Sequence, residues 1–211
     1  MRINEIFYSI QGESTRAGQP CIFVRLTGCN LRCIWCDTAY AFYEGEEMTV
    51  DKVLDRVKDY PCRLVEVTGG EPLLQPEAHL LITGLLDRDY QVLIETGGSL
   101  DIRKVDPRAS IIMDIKCPAS GMMDRMRWEN IETLTPKDEV KFVIKDHHDF
   151  EWASQVTQQY GLIPRCPVLF SPVFGELEPR QLAQWILEDG LKVQLQIQLH
   201  KYIWDPQMRG V

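Results

Sequence analysis

Three of the chain's seven cysteines fall within eight residues, Cys29-Asn-Leu-Arg-Cys33-Ile-Trp-Cys36. No other feature constrains the fold as tightly, because thiolates at C-x3-C-x2-C spacing can wrap one inorganic centre. A cubic [4Fe–4S] cluster ordinarily takes four Cys ligands. Three ligands leave one iron with an open position, by the logic that separates open catalytic metal sites from closed structural ones. Such an iron can bind a substrate or cofactor directly. Two blander arrangements stay open at this point. Structural zinc wants a fourth ligand, commonly from a second C-x2-C or H-x3-H pair, and the adjacent His147 and His148 lack that spacing. A redox dithiol of Cys33 and Cys36 leaves Cys29 without a role. Cys21, Cys62, Cys117 and Cys166 are scattered and read as small buried hydrophobes.

The pattern around the loop predicts alternating strands and helices. Cys21–Leu26 reads as a strand leading into the cysteines. Thr49 is placed to cap a helix whose Val50, Val53, Leu54 and Val57 share one face. Leu64–Thr68 and Gln91–Thr96 read as strands, each ending in Gly-Gly, with a helical face at Ala78, Leu81, Ile82 and Leu85 between them. Ile111–Ile115, Val140–Ile144 and Pro167–Phe170 continue the strands. Helices are expected at Asp149–Tyr160 and around Leu182, Trp185 and Ile186. Strict alternation over Val193–Leu199 predicts a last, half-buried strand.

Repeated strand–helix alternation implies an α/β fold with a mainly parallel sheet and outer helices. A complete eight-fold barrel takes about 250 residues, and this chain has 211. A partial, incomplete TIM-like barrel of about six mostly parallel strands fits better. It forms a single domain over 1–211. Sites in such folds lie at the C-terminal ends of the strands, where the Cys loop, Thr68-Gly69-Gly70-Glu71-Pro72, Glu95-Thr96-Gly97-Gly98 and Asp114-Ile115-Lys116 all fall.

Charge excludes some partners. The chain carries 23 Lys+Arg against 31 Asp+Glu, a formal net charge of −8. That argues against nucleic acid or an anionic membrane surface, both of which need clustered positive charge. No stretch has the apolar length of a membrane span, and Met1-Arg2-Ile3-Asn4-Glu5 lacks the order of a secretory signal. The expected compartment is the cytoplasm, with reduced cysteines.

The cysteine motif, with Trp35 before its last Cys, resembles the radical S-adenosylmethionine (SAM) signature. Gly69-Gly70-Glu71-Pro72 resembles that superfamily's second motif, which contacts the methionine amino group. The resemblance implies that Cys29, Cys33 and Cys36 hold a [4Fe–4S] cluster. SAM then chelates the open iron and yields a 5′-deoxyadenosyl radical on one-electron reduction. More of the chain, taken in order, is similar to the 7-carboxy-7-deazaguanine synthase family: Glu5–Ser14, Phe23-Val24-Arg25-Leu26, Cys36-Asp37-Thr38 and Gln198–Trp204. That family contracts the ring of 6-carboxy-tetrahydropterin, releasing ammonia, and uses Mg²⁺.

The resemblance assigns expected roles. Ile10, Gln11, Gly12 and Glu13 would bind the pterin, and Arg25 would meet its carboxylate through a planar fork. Thr38 would ligate Mg²⁺, which commonly keeps waters and bridges to substrate oxygens. Thr68, His200 and the carboxylate of Val211 would touch substrate. Gly70, Glu71, Asp114, Ile115, Lys116, Ser171, Pro172, Val173 and Phe174 would line the SAM site. The resemblance further implies a homodimer and an electron donor such as flavodoxin or ferredoxin. Two alternatives share part of the pattern: a glycyl-radical activating enzyme, which needs the cysteines but not Gln11 and Arg25, and a zinc-stabilised binding module.

Overall fold

A computed structural model describes residues 1–211. One nine-stranded sheet has the order β3-β1-β2-β4-β5-β6-β7-β8-β9. Its strands are β1 (Arg2–Ile10), β2 (Pro20–Leu26), β3 (Glu46–Glu47), β4 (Leu64–Gly69), β5 (Gln91–Thr96), β6 (Ser110–Asp114), β7 (Glu139–Ile144), β8 (Val168–Pro172) and β9 (Gln194–Leu195). From β2 onward every neighbouring pair is parallel, which gives the expected six-strand run plus the short β9. The hairpin-like partner β1 is antiparallel to β2, and β3 is antiparallel to β1.

The outer face of this curved sheet is covered by α1 (Val50–Val57), α2 (Glu77–Leu86), α3 (His147–Gln159) and α4 (Pro179–Glu188). Thr49 caps α1 as its sequence predicts, accepting a hydrogen bond from Lys52 N at 3.3 Å. The periodic residues Val53, Leu54 and Val57 of α1 and Ala78, Leu81, Ile82 and Leu85 of α2 are all buried. No helix is long and apolar enough to cross a membrane.

A second, smaller apolar cluster lies on the other face of the sheet. Cys21, Phe23, Leu64, Leu93 and Ile112 are all buried there, with Phe7 stacked on Phe23 at 4.8 Å. Side chains along a strand repeat every second residue. The next positions on that same face are therefore Arg25 of β2, Glu66 and Thr68 of β4, Glu95 of β5, Asp114 of β6 and Lys141 of β7. An apolar floor thus gives way, one register step up, to an ionic layer. Burying each floor side chain contributes roughly 1.5–3 kcal/mol. Burying each ion costs several kcal/mol unless it is paired. The floor stabilises the fold; the layer above it needs a different reason to exist.

Two readings of the sequence need correction. Val193–Leu199 is not a continuous strand: only Gln194–Leu195 pair with β8, and the chain then turns into α5 (His200–Ile203). The buried face is also reversed, with Leu195 42% exposed and Gln196 6% exposed. Gln196 turns inward because its Nε2 donates to Ser14 O at 3.0 Å. Cys62 is half-buried rather than buried, unlike Cys21, Cys117 and Cys166. It lies just before β4, at the end of the sheet opposite the cysteine loop.

Candidate active site

The cysteine loop leaves the C-terminal end of β2 and is fastened on both sides. Glu71 N donates to Gly28 O at 2.8 Å, and Gly70 N donates to Leu26 O at 3.3 Å. A Cβ on Gly70 would lie 2.5 Å from Gly28 O and 2.6 Å from Cys29 Cβ. Only glycine lets these two motifs close on each other. On the far side, Ile34 N donates to Ser120 O at 3.2 Å. The Arg32 guanidinium donates to Cys29 O and Leu31 O and sits 4.2 Å above the Phe42 ring.

Cys29, Cys33 and Cys36 are all free and partly exposed. Burial raises each thiol pKa, while the Lys116 ammonium pulls each one down. The residues fit a cluster in their donor chemistry: three soft thiols share the influence of one cation, Lys116, and a cubane takes each thiolate on a different iron.

Glu71, expected to line the SAM site, has protein partners for its carboxylate. Its side chain is fully buried and accepts from Leu73 N at 3.0 Å, Thr96 Oγ1 at 2.8 Å and Gly97 N at 2.8 Å. It fastens the end of β4 to the end of β5. Burial raises its pKa, against the pull of those donors. Asp114 and Lys116 form an ion pair of 2.8 Å. Asp114 Oδ1 is buried without a hydrogen-bond partner, an acceptor left for a bound group. Ile115 is buried and its N donates to Lys141 O at 2.8 Å.

Residues 11–15 run along the open side of the sheet and fasten to two of its strands and to the residue just past β9. Gln11 Nε2 donates to Glu66 Oε2 of β4 at 2.5 Å, and Gln11 Oε1 accepts from Glu13 N at 3.1 Å. Glu13 Oε2 pairs with Lys141 Nζ of β7 at 2.5 Å, and Thr15 hydrogen-bonds Glu139 through both its N and its hydroxyl. Ser14 accepts from Gln196 just past β9. The segment bridges the gap that an incomplete barrel leaves between its edges.

The C-terminal tail packs onto the same segment. Leu199 N donates to Gly12 O at 2.9 Å, and Gln198 Nε2 donates to Glu13 Oε1 at 2.9 Å. A Cβ on Gly12 would lie 2.1 Å from His200 Nδ1, so Gly12 and His200 are in direct contact. Burial lowers the His200 pKa, partly offset by Glu13 and Asp37. Phe174 meets Tyr202 edge-on at 5.9 Å, with Lys201 Nζ 5.2 Å above its ring. That contact brings the end of the Ser171–Phe174 segment to the tail; Ser171, Pro172 and Val173 are buried behind it. Near the chain end, Arg209 pairs with Glu44 at 2.9 Å and lies 3.9 Å over the Tyr40 ring. No hydrogen bond or ion pair ties Val211 itself to the lumen.

Arg25 and Thr38 have protein partners of their own. Arg25 Nε donates to Glu5 Oε1 at 2.8 Å, and Tyr40 Oη donates to the same oxygen at 2.8 Å. The two Nη nitrogens of Arg25 have no protein hydrogen bond. The Thr38 hydroxyl donates to Asp37 Oδ1 at 2.9 Å and makes no capping bond to the turn that follows. Ile10 ends β1, opposite Pro20.

The sequence reading missed Glu66 and Lys141, and named Glu95 only within the Glu95-Thr96-Gly97-Gly98 segment, with no role. Glu95 Oε1 lies 2.6 Å from Lys141 Nζ, and its Oε2 accepts from Thr68 Oγ1 at 3.1 Å. Each of these charges interrupts an apolar strand, in LVEVT, QVLIET and EVKFVI. Burial, then Glu95, raises the Glu66 pKa well above the usual carboxyl range.

Comparison with known proteins gives a consistent result. Residues 23–115 match the Radical SAM superfamily. The whole chain is 49% identical to the 7-carboxy-7-deazaguanine synthase of Chlorobaculum tepidum, with 97% of that protein covered. It is 46% identical to the 7-carboxy-7-deazaguanine synthase of Koribacter versatilis, with both chains covered fully. The crystal structure of QueE from Escherichia coli superposes with a TM-score of 0.79 over 94% of each chain, at 22% identity. The last comparison speaks for the fold.

Proposed function

The chain belongs to the 7-carboxy-7-deazaguanine synthase family of radical SAM enzymes, and from that membership we propose how its own residues carry out the reaction. The enzyme converts 6-carboxy-5,6,7,8-tetrahydropterin to 7-carboxy-7-deazaguanine with release of ammonia. Cys29, Cys33 and Cys36 hold the cluster, which with SAM supplies a 5′-deoxyadenosyl radical when bound. The Gly69-Gly70 backbone, Asp114, Lys116 and Ser171–Phe174 frame the cofactor, and Asp114 Oδ1 is the open acceptor in that frame. Glu71 acts through the protein, by fixing Thr96 and Gly97.

Gln11, Gly12, Glu13, Thr68 and His200 enclose the pterin, and the free Nη pair of Arg25 faces its carboxylate, a bidentate fit. Thr38 completes a Mg²⁺ site with substrate oxygens and water. The observation that carries this reading is the contact of Gly12 with His200. It brings the segment that follows β1 and the C-terminal tail together beside the buried Glu13, Glu95 and Lys141 charges. Enclosing a substrate in this way keeps water from a reactive intermediate. Residues 1–211 act as one domain, in a cytoplasmic homodimer reduced by a flavodoxin or ferredoxin. The test is anaerobic turnover of the carboxypterin, with product and ammonia measured together.

A further inference from the structure

Lys141 is the most enclosed cation of the lumen. It leaves β7 between Val140 and Phe142, which point into the outer core, and its side chain is 5% exposed. An ammonium has three N–H donors. Here two of them meet Glu13 Oε2 at 2.5 Å and Glu95 Oε1 at 2.6 Å, and Asp114 Oδ2 lies 3.7 Å from the nitrogen as a charge without a hydrogen bond. Glu13 and Glu95 lie far apart in sequence, one on the segment that follows β1 and the other on β5. Each gives one oxygen to Lys141 and turns the other elsewhere: Glu13 to Gln198 of the tail, Glu95 to Thr68 of β4. One nitrogen therefore joins the N-terminal segment, the tail and two strands.

We propose that Lys141 is a positioning residue for the pterin, holding Glu13 and Glu95 together across the lumen as a fixed pair of acceptors for the N–H donors of the heterocycle. The inference rests on the reading above and adds a residue that the reading does not need.

The surrounding charges explain why the lysine matters. Glu66 of β4, Glu139 of β7 and His200 of α5 also face this space, with Asp114 and Lys116 on the β6 side. Burial opposes the Lys141 charge, but Glu13, Glu95 and Asp114 outweigh it and hold its pKa well above the usual lysine range. Burial likewise opposes the Glu95 charge, and Lys141 more than reverses it, leaving the carboxyl below its usual range. Without Lys141, Glu13, Glu66 and Glu95 form an acidic group whose remaining cations are Lys116 and Arg25. Like charges in a buried site push one carboxyl to take a proton. A protonated carboxyl offers a donor where the pterin N–H needs an acceptor.

The test compares wild type, Lys141→Met and Lys141→Arg as reconstituted holoenzymes, with iron and sulfide content and thermal melting as the checks on folding. Steady-state turnover of 6-carboxy-tetrahydropterin is measured from pH 5.5 to 9. We expect Lys141→Met to raise KM about tenfold or more, with a smaller change in kcat. The acidic limb of its kcat/KM profile should shift upward by about one unit. Lys141→Arg should restore most of both. Should Lys141→Met fail to fold, the Lys141→Arg profile still decides: a limb displaced from wild type with normal KM overturns the proposal. So does a Lys141→Met enzyme with wild-type KM and profile, or one whose KM rises with no shift of the limb. A wild-type enzyme that does not turn over the pterin fails the functional reading itself, a separate outcome.

Discussion

Lys201 Nζ lies 2.6 Å from Asp37 Oδ2, an ion pair that joins the tail to the residue directly after Cys36. Asp37 also accepts from Thr38 and, at 3.2 Å, from Gln198. The tail is thus fastened to the loop that carries Cys29, Cys33, Cys36 and the Thr38 hydroxyl. The Asp37 side chain is 45% exposed, so the pair is worth at most about 1 kcal/mol and weakens with salt. Lys201→Ala should raise KM for the pterin a few-fold and leave iron content unchanged. Raising ionic strength should bring the wild-type KM toward that of the variant. A KM that ignores both changes would show that the pair does not help dock the tail.

Two titrating groups at the tail contact, Asp37 of the cysteine loop and His200 of the tail, predict its pH dependence. Burial works against the Asp37 charge, but Lys201 overcomes it and holds the carboxyl well below the usual range. Its contribution is present above the unfolded value of about 3.9 and is lost only as pH falls through the depressed folded value. It is therefore constant at neutral pH. His200 is the group that moves. Its folded pKa is lowered, so docking is fullest above the unfolded value of about 6.5 and weakens as pH falls through the folded one. KM for the pterin should rise on the acid side of neutrality in wild type and much less in His200→Gln. Tighter binding at low pH would contradict the assignment.

The cysteine assignments separate by iron content. Cys29→Ala, Cys33→Ala and Cys36→Ala should each lose the cluster and activity together. Cys62→Ala should keep both, since Cys62 sits at the opposite end of the sheet. Thr38→Ala should keep the cluster and lose Mg²⁺ stimulation. A Cys62→Ala enzyme without iron would mean that the ligand set is wrong.

The glycine at position 70 carries a geometric prediction. An added methyl meets Gly28 O and Cys29 Cβ at distances no real Cβ contact shows. Overpacking of this kind typically costs about 1–3 kcal/mol, and here the strain falls on the cluster loop. Gly70→Ala should weaken cluster retention and raise KM for SAM. Gly18→Ala serves as a control, because nothing lies within 4 Å of its added Cβ and only its positive φ is strained. Equal iron retention in both variants would refute the close-approach argument.

Much of this arrangement is legible in the sequence, for identifiable reasons. The helices follow from apolar spacing, and the ends of β4 and β5 from their Gly-Gly pairs. The cysteine spacing announces the cluster loop, since three thiols so close have few other uses. The tail was harder. Its Gln194, Gln196 and Gln198 alternate with apolar residues as in a half-buried strand, yet Gln196 and Gln198 are held by Ser14 and Glu13, nearly the whole chain away. Periodicity carries no trace of such partners. The ionic layer was overlooked for another reason. Glu66, Glu95 and Lys141 each look like a single polar residue in a β-rich run, and only the pairing of their strands puts them on one face of the sheet. A charge inside an otherwise apolar central strand was the available signal. Glu71 shows what a motif leaves out: its place after β4 is legible, but the hold of its carboxylate on Thr96 and Gly97 is not.

The central claim is that the enclosed lumen turns a radical source onto a carboxypterin. The most direct test is an anaerobic assay of the reconstituted, reduced enzyme with SAM, Mg²⁺ and 6-carboxy-tetrahydropterin. We predict 7-carboxy-7-deazaguanine and ammonia in equal amounts, with product lost in Cys33→Ala. Formation of 5′-deoxyadenosine with neither deazaguanine nor ammonia would contradict the account.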